Sequence, residues 1–104
     1  MLDAGDKASR VLISGRVQGV FFRDWTVRKA NELTLNGWVR NRSDGTVEGL
    51  FVGPEVNVDK MVKLCEIGPP LAKVTDIEIT KAMGITKNGF VQKPSVNLRE
   101  RRGD

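Results

Sequence analysis

Helical and extended periodicities alternate along this chain in a fixed order, and that order leaves few ways to fold it. Arg10 to Val17, with Val11, Leu12 and Ile13, predicts a first strand. Gln18-Gly19 breaks it. Phe22, Trp25, Ala30 and Leu33 then fall on one stripe and predict a helix from about Phe22 to Leu33. Gly37 to Asn41 reads as a second strand and Thr46 to Val52 as a third, with Asp44-Gly45 as the hairpin turn between them. Gly53-Pro54 opens a second helix. Asn57 is its expected N-cap and Asp59 lies in its expected first turn, while Val58, Met61, Val62 and Cys65 form its apolar stripe. Gly68-Pro69-Pro70 stops it. Ala72 to Thr80 reads as a fourth strand whose apolar phase slips between Val74 and Ile77, the mark of a bulge. Phe90-Val91-Gln92 has the make-up of a short fifth strand at an edge. Two right-handed crossovers around a hairpin give an α+β, ferredoxin-like βαββαβ domain, with a four-stranded antiparallel sheet and both helices on one face.

A chain of 104 residues makes one domain. The expected bounds are a flexible leader over 1–9, the domain over 10–93 and a flexible basic tail over 94–104, which holds Arg99-Glu100-Arg101-Arg102. No apolar run approaches a membrane span, and the polar N-terminus carries no export signal, so the expected compartment is the cytoplasm. Cys65 is the only cysteine, so no intrachain disulfide forms. Histidine is absent, which removes Ser-His and Cys-His nucleophile systems and nearly all zinc sites. The net charge of +4 suits an anionic partner without naming it.

The segment Ser14-Gly15-Arg16-Val17-Gln18-Gly19-Val20-Phe21-Phe22-Arg23 runs from a strand into a helix N-terminus. Successive N–H groups there can converge on one anion, helped by the helix dipole. Arg23, on the first turn, carries a planar fork that can grip two phosphate oxygens. A glycine-bearing strand-to-helix turn is common in itself, and Asn41, at the start of the hairpin turn, reads alone as a turn former.

Gly15-Arg16-Val17-Gln18-Gly19-Val20-Phe21-Phe22-Arg23 resembles the signature of the acylphosphatase family, and Gly37-Trp38-Val39-Arg40-Asn41 followed by Asp44-Gly45-Thr46-Val47-Glu48 resembles its second signature. Gly68-Pro69-Pro70, Ala72-Lys73-Val74 and Phe90 fit as well, so the likeness runs over about residues 8–93. The resemblance implies hydrolysis of the carboxyl–phosphate bond of acyl phosphates. It implies that Arg23 binds the substrate phosphate, that the backbone amides of Gln18, Gly19, Val20, Phe21 and Phe22 complete the cradle, and that Asn41 holds the attacking water. It implies no cofactor, no metal and no phosphoenzyme. The expected partners are a small acyl phosphate and inorganic phosphate, as product and inhibitor, acting on a monomer with no membrane or nucleic acid involved. Domains of this type also stand at the front of larger hydrogenase-maturation proteins; a chain of this length is expected to be the free-standing enzyme.

The alternative is a ferredoxin-like RNA- or anion-binding module without turnover. RNA-binding modules of this fold stack bases on aromatics of the two central strands. Here the first strand has none and the third only Phe51. Phe22, Trp25, Trp38, Val47 and Phe51 are expected in the core and Cys65 as a small buried apolar residue. Arg16, Arg40 and Arg42 are expected in solvent. Asp24 favours the helix N-terminus and could compete with phosphate for Arg23. Thr34 stands where the family usually has glycine, just past the first helix, at a position expected to need φ > 0.

Overall fold

A computed structural model describes residues 2, 4–84 and 86–98. The elements are β1 (Asp6–Arg16), α1 (Phe22–Glu32), β2 (Asn36–Asn41), β3 (Val47–Pro54), α2 (Glu55–Ile67), β4 (Lys73–Lys81) and β5 (Phe90–Gln92). The sheet order is β4-β1-β3-β2-β5. The first four strands pair antiparallel as expected, and β5 runs parallel to β2. The sheet is therefore five-stranded and mixed, not purely antiparallel. Phe90 is the reason β5 docks: its ring stacks on Phe51 with centroids 5.4 Å apart, which draws the strand onto the free edge of β2.

Alternation along the strands sends Val11, Ile13, Val39, Val47 and Phe51 to the helix side, where they meet Phe22, Trp25, Ala30, Val58, Met61 and Cys65 in one buried cluster. Burial pushes the Cys65 thiol up to about 12, with the nearby Glu66 charge adding to it. The opposite face carries Ala8, Leu50 and Val52 with Trp38 partly buried among them. Trp38 is thus not in the main core: Arg40 and Lys93 stand 4.8 and 4.7 Å from its ring centroid. Glu48 is buried on that face, held by Arg10 at 2.5 Å and Arg40 at 2.8 Å. Arg40 is accordingly an ion-pair partner and not a solvated side chain.

Three boundaries differ from expectation. β1 begins at Asp6, so residues 6–9, expected in a leader, are paired with residues 51–54 of β3, and Lys7 Nζ reaches Asp59 Oδ1 at 2.6 Å. Asn57 does not cap α2. That helix starts three residues earlier than an Asn57 cap implies, after Pro54, whose φ of −55° already suits helix entry, and Asn57 Nδ2 donates instead to the Leu33 carbonyl at the end of α1. Residues 94–98, expected in a loose tail, run on beside β2: Val96 N–H donates to Asn41 O, Ser43 N–H to Val96 O and Leu98 N–H to Ser43 Oγ. The tail residues 99–104 lie outside the described residues.

Two expectations about local backbone hold. The bulge is real: Ser14 faces Asp76 and Gly15 faces Val74, leaving Thr75 as the extra residue. A Cβ on Gly15 would lie 2.2 Å from Lys73 O, so only glycine lets the bulge close there. Thr34 has φ 54°, with Leu35 N–H bonded to Ala30 O and Thr34 N–H to Asn31 O. This is the paired closure of a Schellman motif, with a β-branched residue in the glycine position.

Candidate active site

The loop from β1 to α1 is pinned at both ends by apolar side chains. Val17 and Val20 are buried, and the Phe22 ring packs edge-on against Trp25 at 5.4 Å. Between these anchors Gly19 takes φ 73° and Phe21 takes φ 63°. Glycine adopts the left-handed region freely, whereas Phe21 bears a cost on the order of 1–2 kcal/mol. Such local strain is characteristic of functional loops. Phe21 is the residue just before α1, and its carbonyl accepts the Trp25 N–H at 3.1 Å, which starts the helix. The N–H groups of Gln18, Gly19, Val20, Phe21, Phe22 and Arg23 have no acceptor among the described residues. Six consecutive donors without an acceptor precede and open a helix, where unpaired N–H groups and the helix dipole favour negative charge.

Arg23 sits on the first turn of α1, half-buried, with no ion pair or hydrogen bond among the described residues. The competition expected from Asp24 does not occur: its carboxylate accepts a hydrogen bond from Gln92 Nε2 of β5. Its neighbour's guanidinium is left without an acid.

Asn41 ends β2, on the same side of the sheet as the helices. Its Oδ1 is buried and unpartnered. A buried acceptor without a donor costs about 1–3 kcal/mol, so the position exerts a real demand for a hydrogen-bond donor. Gln18 connects the loop to this hairpin. Its Nε2 donates to the carbonyls of Arg42 at 2.8 Å and Thr46 at 2.9 Å, across the turn that follows Asn41. That turn is braced from inside. The Thr46 hydroxyl and N–H both donate to Asp44 Oδ1, and these two bonds hold the Asp44 carboxyl below the usual carboxylate range.

Gln18 and Asn41 share a cleft of about 330 Å³, with Arg42, Ser95, Val96 and Asn97 on its walls. Arg23 stands at the helix end of the loop and is not part of that lining. Three of these neighbours were not identified from the sequence. Ser95 to Asn97 reach the cleft only through the pairing of their segment with β2, which leaves no local pattern. Arg42 is not solvated as expected: its Nε is buried without a partner and its Nη2 lies 3.6 Å from Asp44. Its place next to Asn41 was the available signal. Arg16 is exposed, as expected. Among the described residues no group of three His, Cys, Asp or Glu side chains could hold a metal ion.

A loop of free amides is followed by an arginine and tied through Gln18 to the turn after Asn41, and residues of these types can hold an anion beside a small polar molecule. The family model for acylphosphatases matches residues 9–92 of this sequence. The chain belongs to the acylphosphatase family. An acylphosphatase of Rhodospirillum rubrum is 53% identical over 90 residues, covering 86% of this chain and 99% of that protein. Among solved structures, an acylphosphatase from Coxiella burnetii superposes with a TM-score of 0.82 at 34% identity, over 86% of this chain and 94% of the other. The acylphosphatase from Bacillus subtilis does so at 0.78 and 39%, over 83% of this chain and 97% of the other. The nucleic-acid reading finds no matching surface. Phe51 is buried under the helices, so the open faces of the central strands β1 and β3 present no aromatic platform.

Proposed function

We propose that the chain performs its family's hydrolysis with the Gln18–Phe22 amides and Arg23 holding the phosphate and Asn41 orienting the water. The reaction splits an acyl phosphate into a carboxylate and inorganic phosphate. The single observation that carries the assignment is the run of free N–H groups from Gln18 to Arg23, bent by the left-handed Gly19 and Phe21.

In phosphoryl transfer, catalysis is mostly positioning and stabilisation of charge on the phosphoryl oxygens. The amides and the Arg23 fork supply that stabilisation. The Asn41 amide holds a water for in-line attack without adding negative charge beside the phosphate. The leaving group is a carboxylate, which needs little general-acid help, so a chain without histidine can run the reaction. The water proton passes to a phosphate oxygen. Inorganic phosphate, having the same oxygens, acts as a competitive inhibitor, and the enzyme works as a cytoplasmic monomer. Among the described residues no helix is long and apolar enough to cross a membrane.

The roles separate in two variants assayed with benzoyl phosphate as substrate and inorganic phosphate as inhibitor. Arg23→Ala is expected to weaken phosphate inhibition and lower kcat together. Asn41→Ala is expected to leave phosphate inhibition nearly intact while kcat falls by on the order of 10²-fold. Neither residue belongs to the buried core, so both variants keep the fold. Near-normal turnover in Asn41→Ala would remove the water-orienting role. Unchanged phosphate binding in Arg23→Ala would move the site elsewhere.

A further inference from the structure

The phosphate loop has a second groove on its other flank. It has a volume of about 370 Å³ and lies between the start of α1 and the turn after α2, lined by Val20, Phe21, Trp25, Pro69, Pro70 and Leu71. We infer that this groove receives the acyl group of the substrate, and that the enzyme therefore favours acyl phosphates with apolar acyl chains or rings over acetyl phosphate. The inference rests on the reading that the Gln18–Phe22 loop holds the phosphate and Asn41 the water.

The chemistry assigns the two flanks. Water forms a new P–O bond as the bond from phosphorus to the carboxylate oxygen breaks. That electron pair leaves with the carboxylate, and the water proton goes to a phosphate oxygen. Attacking and leaving oxygens lie roughly in line through phosphorus. The cleft that contains Asn41 and the groove that contains Phe21 have no lining residue in common, and the loop itself, from Gln18 to Phe21, stands between them. Water on the Asn41 flank sends the carboxylate out on the Phe21 flank.

The groove suits an apolar group by composition and by rigidity. Phe21 and Leu71 are 72% and 63% exposed, large apolar side chains standing in solvent on either side of it. An acyl chain laid between them removes apolar surface from water on both partners. Its two charged residues, Asp24 and Arg28, are of opposite sign, so the lining carries no net charge that would select an anionic acyl group. The far wall is fixed. Gly68 approaches Phe22 so closely that a Cβ there would come within 2.7 Å of the ring, and Ala72 N–H closes the Pro69 turn at 2.9 Å. The near wall is fixed by the left-handed backbone of Phe21.

The test is a chain-length series. Acetyl, butyryl and hexanoyl phosphate have leaving carboxylates of nearly equal acidity, so their intrinsic reactivity is matched and differences in kcat/KM report contacts of the chain. In the full-length protein kcat/KM is expected to rise about two- to fourfold per added methylene. Leu71→Ser removes one wall without touching the phosphate loop or the core. It is expected to leave inhibition by inorganic phosphate, which has no acyl group, unchanged and to flatten the series to less than half of that rise per methylene. A flat series in the parent, or an equal slope in Leu71→Ser, would overturn the assignment while leaving the phosphate site intact. Absence of competition by inorganic phosphate in the parent would instead overturn the loop reading beneath it.

Discussion

Thr34 is the position where the chain departs most clearly from what its own backbone asks for. The residue has φ 54° and closes the Schellman motif that ends α1. A left-handed conformation costs an L-residue about 1–2 kcal/mol, and β-branching places Thr34 toward the upper end of that range. Glycine relieves this cost but gives back roughly 0.5–1 kcal/mol through the greater freedom of its unfolded chain. The Thr34 side chain is exposed and makes no hydrogen bond, so its removal forfeits no packing. The balance is a gain of about 0.5–1 kcal/mol for Thr34→Gly, and a domain of this size moves by about 4–8 °C per kcal/mol. Thermal unfolding followed by circular dichroism should therefore show Tm raised by roughly 2–8 °C. Because Thr34 lies at the end of α1 away from the phosphate loop, kcat on benzoyl phosphate should stay the same. An unchanged or lowered Tm in Thr34→Gly would refute the strain argument. Thr34→Asn, which tolerates the left-handed region, should fall between the two.

Gln18→Ala removes both bonds from the loop to the hairpin turn; it is expected to lower stability by about 1–2 kcal/mol and kcat by about tenfold, read by urea unfolding and steady-state assay, with a smaller effect on phosphate inhibition. Burial by itself would raise the Glu48 carboxyl, but the Arg40 hydrogen bond and the charges of Arg40 and Arg10 outweigh it and hold the group below its ordinary value. Its stabilising effect is thus present above the unfolded pKa and lost as pH falls through the folded one. Glu48→Gln should cost about 1–2 kcal/mol near neutrality and reduce the acid-side loss of stability, and an unchanged acid limb would count against this assignment. With no histidine and with the Cys65 thiol held at about 12, kcat should be nearly flat between about pH 6 and 8; a sharp bell there would reveal a general base outside the proposed site.

How far the sequence could be read depends on whether each feature is set locally. The stripe Val58, Met61, Val62, Cys65, the Asp44-Gly45 turn and the strained Thr34 are demands of a few adjacent residues, and all three are met in the structure. Asn57 shows a local signal being outbid: it is a good N-cap type, but Pro54 starts the helix first and the Asn57 amide serves the open carbonyl of Leu33 instead. Glu48 shows the opposite case. A charged residue in a strand normally faces water, and only the cross-strand registers that bring Arg10 and Arg40 to it explain its burial. The site divides in the same way. The Gly19 turn and the helix start at Phe22 could be read as a phosphate cradle from residues 15–23 alone, whereas Arg23 and Asn41 came together through family resemblance. The Gln18 clamp and the Val96–Asn41 bond had no sequence signal, because each joins segments more than twenty residues apart.

Asn41 is held from three directions: it pairs with Val47 across the hairpin, the following turn is gripped by Gln18, and its carbonyl accepts from Val96. The turn itself, by contrast, is short and exposed. Three separate segments of chain therefore fix the backbone that carries Asn41, which is the support expected beneath a residue that must position a small reactant. The family model ends at residue 92, yet one of the three supports comes from Val96. Residues beyond the family match thus contribute to the geometry of the residue proposed to direct the nucleophile.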